Sequence, residues 1–192
     1  ITQGKAIIVT GVGQHQMWAA QHYTFTEPNT LITSGGLGTM GFEVPAAMGV
    51  QVACPDKTVW SVAGDGGFQM TMAELATMVE NNIPVKFALM NNHFLGMVRQ
   101  WQHIFYNDTF YATQYTGNPD FVKLAEAFGL YAIRVTDKTQ VTSAIQDAMA
   151  HDGPALIDFV VDPEENVYPM IPPGESIEQL IEEPAEEPLW SR

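Results

Sequence analysis

Short, nearly continuous apolar runs alternate along this chain with longer stretches whose apolar positions recur at helical spacing. Ala6–Thr10, Thr30–Thr33, Thr58–Ala63, Val85–Met90, Tyr131–Val135 and Ala155–Val161 read as strands. Gln14–His22, Val44–Ala53, Thr71–Glu80, Pro119–Phe128 and Thr139–Ala150 read as helices, with Pro45 in a first turn and Gly129 as a stop. Continuously apolar strands separated by helices predict an α/β fold, a mostly parallel open sheet with helices on both faces. Residues 1–162 form one domain in this reading. Gln102–Asn118 has no regular period and is long for a connection; such loops are functional or disordered, and its place after the strand ending at Asn92 puts it beside that strand's carboxyl edge.

Composition sharpens that picture. A chain of 192 residues with 46% apolar and 16% charged residues can bury a full core. The net charge of −14 argues against nucleic acid or an anionic membrane as partner. Half of it sits in residues 164–192, where eight Glu meet one Arg. Residues 163–192, rich in Pro and Glu, therefore read as a solvated acidic C-terminal tail. No apolar run is long enough for a membrane span, and no signal peptide is visible. The single Cys54 fits a cytoplasmic protein and excludes an intrachain disulfide, and the five His form no zinc pattern.

The chemistry concentrates at strand ends. Gly64-Asp65-Gly66 closes one strand and, after 24 residues, Asn91-Asn92 closes the next. Strand, crossover helix, strand makes the two parallel and puts Asp65 and Asn92 at one carboxyl edge, where open α/β sheets bind ligands. A carboxylate and an amide oxygen, with glycines allowing close backbone approach, suit Mg²⁺ held partly by its ligand's phosphates. Gln14 and His15 open the first helix behind Gly11-Val12-Gly13, where free N–H groups suit a diphosphate. Gly36-Leu37-Gly38-Thr39-Met40-Gly41 also matches a dinucleotide fingerprint, with Asp56 twenty residues on. That alternative places Asp56 before its strand rather than at its end, and leaves Asp65 and Asn92 unused. No Gly-Lys-Ser/Thr supports a P-loop.

The spacing Gly64-Asp65-Gly66…Asn91-Asn92 resembles the thiamine diphosphate motif. Gly11-Val12-Gly13-Gln14-His15-Gln16-Met17-Trp18, Ser34-Gly35-Gly36-Leu37-Gly38-Thr39-Met40-Gly41-Phe42 and Gly96-Met97-Val98-Arg99-Gln100-Trp101 resemble the C-terminal domain of acetolactate synthase catalytic subunits. The similarity runs from about Lys5 to Gly174. The resemblance implies Asp65, Asn92 and the Phe94 carbonyl as Mg²⁺ ligands. It implies Gln14, His15, Gly38, Thr39, Met40, Gly66, Gly67, Leu95, Gly96 and Met97 as further cofactor contacts, and Met97, Val98 and Trp101 at the substrate channel. Taken alone, Met40 reads equally as core filling and Trp101 as core.

The same resemblance implies a full enzyme that condenses pyruvate with pyruvate or 2-ketobutyrate in branched-chain amino acid biosynthesis. Its catalytic Glu lies in a separate pyrimidine-binding domain, through which a homodimer or tetramer forms, and FAD binds a further domain. A regulatory small subunit is a possible partner in that family. No catalytic residue is then expected in this chain, which looks like a C-terminal third, inactive alone. Glu43 and Glu74 do not match the acid–base position. Other thiamine diphosphate enzymes (glyoxylate carboligase, sulfoacetaldehyde acetyltransferase) are the near alternative, and a stand-alone cofactor-binding module the distant one.

Overall fold

The computed structural model describes residues 1–184. In chain order the elements are β1 (Ile7–Thr10), α1 (Gln14–His22), β2 (Leu31–Thr33), α2 (Glu43–Ala53), β3 (Val59–Gly64), α3 (Asp65–Thr71), α4 (Leu75–Glu80), β4 (Lys86–Asn91), α5 (Gly96–Phe105), α6 (Phe121–Phe128), β5 (Tyr131–Val135), α7 (Val141–Ala150) and β6 (Ala155–Val160). The six strands form one sheet in the order β2-β1-β3-β4-β6-β5, and every pairing is parallel.

The two faces differ. On one, α2, α3, α4 and α6 bury Val44, Ala47, Phe68, Leu75, Met78, Phe121 and Ala125 against Val9, Val59, Phe87, Leu89 and Leu156. Phe68 is its keystone, edge-on to Phe87 and Phe121 at 5.7 and 6.0 Å between ring centroids. The other face carries α1 and α7, with Ala144 and Ala148 on Trp60, Ile157 and Phe159. An apolar trough of ≈ 430 Å³ remains on it, bordered by Ile8, Trp60, Ala88, Val141 and Phe159. Because β1 leads to β2 on one side and β2 leads to β3 on the other, the order of the sheet reverses between β1 and β3. Their carboxyl ends are the switch point, where this class of sheet opens a crevice.

Three local readings change. The helix expected over Thr71–Glu80 begins at Asp65, directly after β3, and is broken by a 3₁₀ turn at Met72–Glu74 before α4. The glycines at 66 and 67 hid its first turn, since glycine disfavours helix interiors. No helix is expected between β4 and Pro119, yet Gly96–Phe105 forms α5, which also takes in the first four residues of the stretch expected to be irregular from Gln102. The acidic tail is not solvated throughout. Val167 and Met170 are buried, Met170 bridges Ile181, and a 3₁₀ turn at Ile177–Gln179 carries a capping box from Ser176. Residues 185–192, the rest of that tail, lie outside the described residues. Among the described residues no helix is long and apolar enough to cross a membrane.

Candidate functional site

A cleft of ≈ 310 Å³ opens at the switch point. Its walls are the β1–α1 loop, the start of α3, the end of β4 and the start of α5. Of the residues expected from sequence, Gln14, His15, Met40, Asp65, Gly66, Gly67, Asn92, Phe94, Leu95, Gly96, Met97, Val98 and Trp101 line it. Gly38 and Thr39 do not; they are exposed on the loop outside it, where Gly38 N–H donates to the Ser34 carbonyl and Thr39 N–H to Ser34 Oγ. Trp101 and Val98 are 40% and 39% exposed, too open for core residues.

Asp65 is 1% exposed yet forms no ion pair with Lys or Arg among the described residues. Its Oδ1 accepts from Gly66 N–H at 2.9 Å, and its Oδ2 from His93 N–H at 2.9 Å and Asn118 Nδ2 at 2.7 Å. Burial pushes its pKa up, while these three donors pull it back. His93 holds φ at +60°, a left-handed backbone uncommon outside glycine, and this turn aims its N–H at Asp65. Next to it, Asn92 Oδ1 accepts from Phe94 N–H at 3.0 Å. Phe94 bridges Gln114, with hydrogen bonds that use the carbonyls of His93 and Thr113 and leave that of Phe94 outside the ladder.

These donors fit a hard divalent cation. A buried carboxylate needs a counter-charge, and no protein cation supplies one. No group of three or more His, Cys, Asp or Glu suited to a metal occurs among the described residues. One carboxylate, one amide and one carbonyl make half a coordination shell, the arrangement of Mg²⁺ that takes its remaining oxygens from phosphates and water.

The opposite wall fits an anion. His15 is buried, its pKa lowered from 6.5 to about 4 by desolvation, and its Nε2 has no hydrogen-bond partner. The imidazole is therefore neutral at physiological pH and presents an unspent polar atom at a helix start. Gln14 is committed differently. Its Nε2 donates to Gln100 Oε1 at 2.9 Å and to the Glu165 carbonyl at 2.8 Å, so both of its N–H donors are used within the protein. Gln100 continues the lock to the Val167 backbone, accepting from its N–H at 2.8 Å and donating to its carbonyl at 2.9 Å.

Two residues beside the site escaped the sequence reading, and a third, Glu43, entered it only as not matching the acid–base position. Asn118 ends the long loop that the sequence placed beside the site as functional or disordered, without resolving its members. Tyr115, from the same loop, places its hydroxyl where a Cβ on Gly66 would stand, so a side chain at Gly66 would displace the Tyr115 ring. Glu43 is fully buried behind Gly11 and Gly67, both oxygens unpartnered, and desolvation raises its pKa from 4.5 to about 7. Backbone N–H groups of Gly41 and Glu43 itself favour its charged form only weakly, short of hydrogen-bond geometry. The dinucleotide alternative fails on topology. The loop Gly36–Gly41 follows the edge strand β2 rather than a central one, and Asp56 stands before β3, at the far edge of the sheet.

Residues 11–159 match the family described as thiamine pyrophosphate enzyme, C-terminal TPP binding domain. Among curated proteins, the acetolactate synthase isozyme 2 large subunit of Escherichia coli is 48% identical over 92% of this chain and 32% of its own length. The mitochondrial acetolactate synthase catalytic subunit of Aspergillus candidus is 48% identical over 92% of the chain and 25% of its own. The acetolactate synthase large subunit of Corynebacterium glutamicum is 51% identical over 89% of the chain and 28% of its own. The chain thus spans between a quarter and a third of the length of these relatives.

Proposed function

Because this chain belongs to the thiamine pyrophosphate enzymes, through their C-terminal TPP-binding domain, we propose that it is the cofactor-holding part of an acetolactate synthase. The observation that carries this is the cleft at the switch point, where Asp65, Asn92 and Phe94 face His15 across one sheet edge. In this reading Asp65, Asn92 and the Phe94 carbonyl hold Mg²⁺. His15 offers its unpartnered Nε2 to the diphosphate, beside Gly66 and Gly67, while Gln14, whose donors are spent within the protein, shapes the wall rather than donating to it. Met40 meets the aminopyrimidine end, Gly38 and Thr39, on the loop outside the cleft, are assigned to that end by the resemblance alone, and Leu95, Gly96 and Met97 complete the wall.

Bound thiamine diphosphate supplies a carbon nucleophile for a 2-keto acid and an electron sink once CO₂ leaves. The chain's own share is binding and orientation. Asp65 offsets metal charge, His15 presents its free Nε2 to the diphosphate, and the apolar side chains of Met97, Val98 and Trp101 line the substrate side. The proton-transferring Glu comes from another domain in this reading, so the described residues supply no acid–base catalyst. Pyruvate, with pyruvate or 2-ketobutyrate as acceptor, follows from the names of the relatives and from the resemblance. FAD on a further domain, a homodimer or tetramer and a regulatory subunit rest on the resemblance alone. A cytoplasmic location is supported by the lone free Cys54.

Asp65→Ala tests the reading. Calorimetric titration of the full-length protein with thiamine diphosphate should give Mg²⁺-dependent binding in the wild type and none in the variant. Equal affinity in both would remove Asp65 from the site.

A further inference from the structure

A continuous hydrogen-bonded chain crosses the carboxyl ends of four neighbouring strands and ends on Asp65. It starts at Arg134 on β5, 41% exposed in its side chain, which donates from Nη2 to Asp120 Oδ1 at 2.5 Å and from Nε to Asp158 Oδ2 at 2.9 Å. Asp158, fully buried on β6, accepts on Oδ1 from Asn91 Nδ2 at 3.0 Å. Asn91 Oδ1 accepts from Asn118 Nδ2 at 3.3 Å, and the same nitrogen donates to Asp65 Oδ2 at 2.7 Å. Gln69 Nε2 donates to Asn118 Oδ1 at 3.2 Å.

Every polar atom of the Asn118 amide is thus engaged, which fixes its plane. Asn118 and Asp120 flank Pro119, so the short segment leading into α6 is held at both ends, by Asp65 and by Arg134. A carboxylate offers about four acceptor sites, and Asp65 spends three on N–H groups. One direction is left, and Asn118 decides which. Two of the three donors are backbone groups set by their turns. Asn118 is the side chain that chooses the rotation of the carboxylate.

We propose that Asn118 is a positioning residue for the divalent cation at Asp65, and that Arg134 and Asp158 hold Asn118 in place through Asn91. The inference rests on the reading of Asp65 as a metal ligand. Partners one bond behind a metal ligand commonly change metal affinity ten- to hundredfold when removed, whereas a residue that only packs would leave it unchanged.

The test uses Mn²⁺, followed by the electron paramagnetic resonance signal of the free ion, titrated into the full-length protein with saturating thiamine diphosphate. Asn118→Ala should weaken Mn²⁺ binding about tenfold or more. Arg134→Gln, at the exposed end of the chain, should weaken it about threefold, a smaller loss for a partner further removed, with a cooperative melt retained. If Asn118→Ala does not fold, Arg134→Gln decides alone. Wild-type affinity in these variants, with binding lost in Asp65→Ala, overturns the positioning role and leaves the metal site standing. Wild-type affinity in Asp65→Ala overturns both.

Discussion

Glu43 and His15 set opposing limits on stability across pH. Folded Glu43 holds its proton up to about pH 7, whereas the unfolded chain releases it near 4.5. The native state binds more protons in that window, so stability falls as pH rises through it. His15 is reversed. The unfolded chain takes up a proton below 6.5 and the folded one only near 4, so stability falls as pH drops through that window. Between about 4.5 and 6.5 the two slopes oppose each other, and a plateau is expected. Glu43→Gln removes one limb. Urea unfolding should show the variant more stable than wild type at pH 8, by roughly 3 kcal/mol for a shift of this size, and near parity at pH 5. The same pH slope in both proteins would mean that Glu43 titrates as an ordinary carboxyl. Residues of this kind are hard to find in a sequence. Asp65 and Asn92 were legible because their spacing and strand ends announce them. Glu43 reads as an ordinary first-turn acid of α2, and only the fold shows that it points inward with nothing to bind.

At the scale of elements, the strands were read to within a residue at each end, because parallel buried strands write continuous apolar runs. The helices around the site were read less well. α3 opens with the residues that a site needs, Asp65, Gly66 and Gly67, rather than those a helix prefers, and α5, which starts on Gly96 and ends in a polar, aromatic stretch, was not read as a helix at all. Both are cases where function and tertiary contacts outweigh local propensity. The first residue of α5 shows the constraint. A Cβ on Gly96 would collide with Gln14 Oε1 and lie 2.8 Å from Asn92 Nδ2. Gly96→Ala must therefore push apart two walls of the cleft. Overpacking of this sort costs about 1–3 kcal/mol, which a thermal melt would register as a drop of several degrees. Thiamine diphosphate affinity in the full-length protein should fall more than tenfold, by displacement of Asn92. A variant that loses stability but keeps its affinity would show that the walls yield without moving the ligands.

For the molecule as a whole, composition and alternation were enough to specify one parallel sheet, but not its strand order or the place of the tail. Acidic, Pro-rich sequence reads as solvated, yet Val167 and Met170 sit beneath the Gln14–Gln100 pair. The signal lay in two apolar positions among charges, too few to register against the charge. Removing residues 163–192 should take the Glu165 and Val167 backbone partners from the two glutamines and leave only their mutual bond. At about 1–3 kcal/mol for each buried group left unpaired, the melting midpoint should drop by several degrees or more. A truncated chain that melts like the intact one would place the tail outside the folded unit.

The bond from Gln14 to the Glu165 carbonyl spans 151 residues. Within this domain the β1–α1 loop is made before the other site elements, but the Gln14 side chain meets its last partner only after β6 has been made. Such long closures are slow, since chain entropy must be lost before the contact repays it. The sheet can assemble behind the ribosome strand by strand, while the cleft waits for the far end of the chain. Its completion therefore has to wait for Glu165, and a chain cut short of that residue would hold all six strands but lack a partner that fixes Gln14.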